Sequence, residues 1–285
     1  MTMSEEIPQL LKNLRLRKMA SILESELQTA RKSSPSYSDF LVRLLRAEWL
    51  DQQERKVQAR IQHARLPELW TLESFPFKNQ PGVSRRQMQE LAELEFIPKA
   101  ANIIFIGPTG VGKTGLASGL LLKALQNGYR ALFIKAQDLF DEMYASLADR
   151  ASRKLIRRLA RIDVLLVDEL AYLNLRPEQT NIFFKLMEER YRRKATLITA
   201  NLEYDQWHQL LGNKDLTEAL LSRLRHQCQT IHINGPSLRE PKANHFPFLV
   251  LSREPAGHLP HRCRRACIAV LNLVLSRDPT VGHFK

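Results

Sequence analysis

Three cysteines in 285 residues, Cys228, Cys263 and Cys267, are too few to staple a chain of this length, which excludes a disulfide scaffold. The longest apolar run, from Ala266 to Leu275, is about half of the ~20 residues a bilayer-spanning helix needs. The first residues carry Glu5 and Glu6 and have no apolar centre, so no secretory leader is expected, and the reading is a cytoplasmic protein with no membrane partner. Internal repeats and low-complexity tracts are missing too, which sets solenoids and compositionally biased polymers aside.

Apolar residues and positive charge are plentiful. An apolar share of 44% supports a packed core, and the length has room for one α/β domain with a smaller appendage. Lysine and arginine number 43 against 30 acidic residues, a formal charge of +13. Such an excess attracts polyanions, nucleic acid first and acidic membrane surfaces second.

Residues 1–65 read as a basic helical region with 12 lysines and arginines against 8 carboxylates, either a solvated surface or one that binds DNA or a partner. Ile7, Leu10, Leu11 and Leu14 share one helical face. A break at Arg31–Ser36 separates them from a second apolar stripe of Tyr37, Leu41, Leu44, Leu45 and Trp49. Its continuation to Arg65 is polar and includes Arg55, Lys56 and Arg60. Residues 66–84, with Pro67, Pro76 and Pro81, read as a linker. From 85 to 239, apolar runs at 102–106, 131–134, 163–167, 196–200 and 229–233 alternate with helical segments, which predicts an α/β core with a parallel, helix-covered five-stranded sheet. Residues 240–285 form an atypical tail, expected to be poorly ordered. Its His258, His261, Cys263 and Cys267 lack a paired Cys-x-x-Cys and are not read as a zinc site.

The sharpest signal is Gly107-Pro108-Thr109-Gly110-Val111-Gly112-Lys113-Thr114, set between the apolar run Ile103–Ile106 and a helical Leu116–Leu122. Strand, glycine loop and helix form the context of a phosphate-binding P-loop. Loop N–H groups and the helix dipole face the phosphates, Lys113 reaches the β/γ-phosphates, and Thr114 coordinates Mg²⁺. The second signal is Asp163-Val164-Leu165-Leu166-Val167-Asp168-Glu169, a buried strand ending in two carboxylates. Asp168 is placed to hold Mg²⁺ through water, and Glu169 to polarise an attacking water. Asn201 ends the 196–200 strand, where it is either a turn former or a contact to the lytic water or γ-phosphate. Arg223, with Arg225 as competitor, is read as a guanidinium offered to a neighbouring subunit's γ-phosphoryl group, the bland alternative being an ion pair with Glu218 or Asp215. The cations Arg150, Arg153, Lys154, Arg157, Arg158 and Arg161 form either a solvated face or a DNA-tracking surface. Arg190, Arg192, Arg193 and Lys194 are read as cations favouring a helix C-terminus, and Trp207 and His208 as packing and surface residues.

With these motifs in place, the chain resembles the IstB-type ATP-binding transposition helpers, relatives of the DnaC-type helicase loaders, from about Leu10 to Arg239. The P-loop and the Asp168-Glu169 strand belong to a vast superfamily. The narrower carriers are Leu14–Ala20, Tyr37–Leu41, Leu44–Glu48, Ala64–Pro67, Asp168–Leu173, Phe183–Tyr191 and Leu220–Leu224. The resemblance implies a P-loop NTPase of the AAA+ type with a small all-helical N-terminal domain, which hydrolyses ATP with Mg²⁺. It implies ATP-dependent homo-oligomers on double-stranded DNA and stimulation of a partner transposase. Rival readings are a DnaC-like helicase loader and an ATP-gated DNA scaffold with negligible turnover. Lys113, Thr114, Asp168, Glu169, Asn201 and Arg223 take the catalytic roles. Three positions depart from the family pattern: Ser222 stands where Asp is usual, Gly115 where His is usual, and no Tyr precedes Arg239.

Overall fold

The computed structural model describes residues 3–239 apart from 172 and 174. The expectations for the 240–285 tail lie outside the described residues. Five strands form one parallel sheet: β1 (Asn102–Ile106), β2 (Ala131–Lys135), β3 (Val164–Leu170), β4 (Ala195–Ala200) and β5 (Cys228–His232). Their spatial order is β2-β3-β4-β1-β5, so all five carboxyl ends meet at one edge. Each strand coincides with an expected apolar run to within a few residues. β1 and β4 are buried along their whole length, as a sheet covered on both faces requires.

Alternation along the strands divides the core in two. Ile103, Phe105, Leu166 and Leu197 face α5 (Lys113–Gln126) and its Leu116, Leu120 and Leu121. Ile104, Ile106, Leu165 and Val167 face the opposite layer with Phe140, Phe183 and Trp207. That layer comprises α6 (Ala136–Ala148), α7 (Ser152–Ala160), α8 (Pro177–Arg190), α9 (Trp207–Leu211) and α10 (Lys214–His226). Asn213 caps α10 by accepting the Leu216 N–H. Trp207 is fully buried and His208 exposed, as expected.

Three helices make up the N-terminal region: α1 (Met3–Asn13), α2 (Arg17–Ser33) and α3 (Tyr37–His63). Their shared core is small, with Leu11, Met19 and Leu44 at its centre. Buried Glu48 of α3 accepts the N–H groups of Lys18 and Met19 at 2.7 and 3.0 Å, which ties α3 to the start of α2. The apolar stripes read from the sequence are for the most part not core. Ile7, Leu10, Leu14, Tyr37, Leu41, Leu45 and Trp49 are exposed.

Beyond α3 the chain lies against the sheet. Arg60 donates to the Leu125 carbonyl, and the Phe133 N–H donates to Ala64. The proline-marked stretch after residue 66 then packs along α5, with Trp70 against Gly115 and Leu72 against Gly119. It leads into α4 (Arg85–Ala92), capped by Ser84.

Arg190 corrects a second expectation. It is 1% exposed, and its guanidinium donates to Thr196 Oγ1 and to the carbonyls of Leu159, Ile162 and Ala195. Burial pulls its pKa down to about 9. It is a tie between α7, α8 and β4, whereas Arg192 and Arg193 are exposed as expected.

Candidate nucleotide-binding site

The loop from Gly107 to Gly112 joins the carboxyl end of β1 to the first turn of α5. Gly110 and Gly112 adopt φ of 88° and 94°, a left-handed backbone that favours glycine. A Cβ on Gly112 would also lie 2.6 Å from the Phe75 ring and 3.1 Å from Leu238. Among the described residues, the N–H groups of Gly110, Val111 and Gly112 have no hydrogen-bond partner. A concave loop of unpaired donors at a helix N-terminus is the arrangement that receives phosphate oxygens.

Lys113 is buried, and its ammonium donates to the carbonyls of Gly107 and Pro108, each at 2.7 Å. Burial lowers its pKa; Asp168 and Glu169 oppose that shift, while Arg239 adds to it. Thr114 Oγ1 donates to Asp168 Oδ1 at 2.9 Å. Asp168 is 2% exposed, and burial raises its pKa against the hydrogen bonds from Thr199 and Thr114.

The adjacent acids part company because of a β-bulge. β3 and β4 pair in step up to Val167 and Ile198, then resume with Leu170 opposite Ala200. The extra residue turns Glu169 to a φ of 59° and into solvent while Asp168 stays inside. A bulge beside a site re-aims a side chain in this way. Thr199 holds the bulge from β4. Its hydroxyl donates to Asp168 Oδ1 at 2.6 Å and accepts the Glu169 N–H at 2.9 Å.

Asn201, just past β4, reaches the loop, with Nδ2 3.4 Å from Thr109 Oγ1. Lys113, Thr114, Asp168, Glu169 and Asn201 therefore converge on one edge of the sheet. Arg223 does not join them. It lines a small recess with Asn102 and Thr196, which begin or nearly begin β1 and β4, and so lies toward the opposite edge. Its guanidinium sits 4.9 Å from the centre of the Phe184 ring and donates to the Ala219 carbonyl, with no ion pair to Glu218 or Asp215. Arg225 lies over Tyr204 instead.

Several parts of the site carried no sequence signal that was used. Thr199 lay inside an apolar strand. Gln80, fully buried, donates to the carbonyls of Val111 and Pro236 and so bridges the loop to the chain leaving β5. The Leu238 N–H donates to Gly110.

The family model for the IstB-like ATP binding protein matches residues 9–245 of this chain. The chain belongs to that family. A relative from Pseudomonas aeruginosa, described as an ATP-binding protein of insertion sequence IS21, is 35% identical over 82% of this chain and 88% of its own length. A second, from Geobacillus stearothermophilus insertion sequence IS5376, is 34% identical over 83% of this chain and 94% of its own. Among solved structures, DnaI matches with a TM-score of 0.50 and 22% identity, over 57% of this chain and 90% of that one; the likeness is one of fold. The core thus has the fold seen in DnaI, in an ATP-binding family whose relatives are named for insertion sequences. Among the described residues, no helix is long and apolar enough to cross a membrane.

Proposed function

We propose that this chain is a cytoplasmic, Mg²⁺-dependent ATPase that assembles as an ATP-bound homo-oligomer on double-stranded DNA and assists a partner transposase. The observation that carries the reading is the buried Asp168 carboxylate, tied to the P-loop hydroxyl of Thr114 at 2.9 Å. A carboxylate and a hydroxyl side by side suit a hard cation that prefers oxygen. Thr114 and Asp168 would hold Mg²⁺, which neutralises charge on the β- and γ-phosphates when bound.

The residues of the loop bind and orient the triphosphate. Donors of the 110–112 backbone take its oxygens, and Lys113 exchanges its two carbonyl partners for phosphate. Glu169, turned outward by the bulge, accepts a hydrogen bond from the attacking water and aligns it with the γ-phosphorus. Asn201 stands beside Thr109 to fix the other side of that water. Arg223 faces away from its own loop, which suits action on the nucleotide of a neighbouring subunit. The basic α1–α3 layer grips the DNA backbone. The insertion-sequence relatives favour transposition over helicase loading.

Lys113→Ala is expected to abolish nucleotide-dependent oligomers on duplex DNA, read by light scattering or negative-stain microscopy. Assembly that still responds to ATP in this variant removes the P-loop from the mechanism.

A further inference from the structure

At the edge of the sheet away from the nucleotide loop, a cleft of about 570 Å³ opens between α7 and the end of α8. Six cations line it, namely Arg153, Arg157, Arg161, Lys185, Arg193 and Lys194, with Glu189 the one carboxylate. We propose that this cleft is a second docking site for the phosphate backbone of duplex DNA, separate from the N-terminal helices. The proposal rests on the reading that the protein works on DNA.

The cations differ in how far their charge is already spoken for. Lys194 is bound to Asp163 at 2.6 Å, Lys185 to Glu188 at 2.7 Å and Arg193 to Glu189 at 3.4 Å. Arg153, Arg157 and Arg161 are exposed, and their guanidiniums make no hydrogen bond or ion pair with any described residue. Four-residue spacing puts Arg153, Arg157 and the C-cap residue Arg161 along one face of α7, rising ~6 Å from one to the next. Attraction to the helix dipole accounts for Arg157 and Arg161 at the C-terminal end of α7 but not for Arg153, which stands in the first turn, where the dipole repels a cation. Concentrating like charge on one helix face without a counter-ion costs stability, and an external polyanion removes that cost.

The cleft does not serve the phosphates of the chain's own bound ATP. It lies where β3 and β4 begin, and the seven residues of β3 separate the two edges by roughly 20 Å. Nor is it built for a protein partner. Its apolar lining is Ile156 and Ala160, with no aromatic side chain to serve as an anchor. A row of guanidiniums beside a small apolar lining matches a repeating phosphodiester, held by charge and indifferent to sequence.

The test compares two triple variants of equal net charge, Arg153→Ala/Arg157→Ala/Arg161→Ala in the cleft and Lys78→Ala/Arg86→Ala/Lys99→Ala on the exposed surface before β1. The probe is a fluorescein-labelled duplex of unselected sequence, titrated at several salt concentrations with Mg-ATP present. Uptake of a fluorescent ATP analogue is read alongside and is expected to match the parent in both variants, and the unfolding midpoint of the cleft variant is expected to equal or exceed the parent's. The cleft variant is expected to lose on the order of 100-fold in duplex affinity near 0.1 M salt. Its salt slope is expected to be shallower by about 2.7, the value for three lost phosphate contacts. The control is expected to stay near the parent.

A cleft variant that binds duplex as the control does overturns the proposal and leaves the wider DNA reading standing. A parent that binds no duplex at all overturns both. Unchanged duplex binding with loss of binding to polyglutamate assigns the cleft to an acidic protein segment and overturns the DNA assignment.

Discussion

The two edges of the sheet are made by the same five strands yet treat polar groups in opposite ways. At the carboxyl edge Thr114, Asp168 and Thr199 satisfy one another within 2.6–2.9 Å, and Lys113 is satisfied by loop carbonyls. At the amino edge one guanidinium, Arg190, is buried and hydrogen-bonded, while those of Arg153, Arg157 and Arg161 along α7 engage no described residue. A self-satisfied network holds its geometry before any ligand arrives, as chemistry demands. Unengaged surface charge waits for a partner that brings its own counter-charge.

The largest test of this contrast falls on the exposed member of the acid pair at the first edge. Glu169→Gln is expected to slow ATP turnover about 10³-fold while nucleotide binding and assembly persist. Steady-state phosphate release beside analogue binding separates the two, and turnover at the parent rate removes Glu169 from the mechanism. Next, Arg190→Met strips donors from three buried carbonyls and is expected to cost about 3 kcal/mol in urea unfolding. A loss near zero means that water replaces the guanidinium and that the tie is dispensable.

A smaller and pH-dependent effect is expected at Asp163, just ahead of β3. Burial pushes its carboxyl up, but hydrogen bonds from Arg130 and Lys194 outweigh burial and hold its pKa well below the usual carboxylate range. A lowered folded-state pKa gives stability that is present above the unfolded value of about 3.9 and fades as pH falls further. Asp163→Asn is expected to cost about 1–2 kcal/mol at neutral pH, and the gap to the parent to narrow only below about pH 4. A gap that is constant from neutral to acid pH makes the effect one of shape and not of charge.

Much of the carboxyl edge was legible in the sequence because its chemistry is local. Glycines at fixed spacing, a lysine and threonine at a helix start, and acids after an apolar run each announce themselves within a few residues. Thr199 was not legible, because its role depends on the register of β4 against β3 and on a bulge that no local pattern marks. Gln80 lies 31 residues from the carbonyl of Val111 and 156 from that of Pro236, so only the fold brings the three together. Arg190 was misread for a related reason. In a run of four cations, periodicity alone does not say which one turns inward. The exposed stripes of α1 and α3 show the converse limit, since an apolar face records an appetite for burial and not what satisfies it.

One small detail of the loop reaches beyond nucleotide chemistry. With Phe75 on one side and Leu238 on the other, Gly112 is the gap through which the incoming and outgoing strands of the chain close on the core. Swapping it even for alanine strains a left-handed backbone and presses a methyl group against the Phe75 ring before any ATP is present. A screen for folding run in nucleotide-free buffer would already discard such a clone, and its silence in an activity assay would say nothing about phosphate.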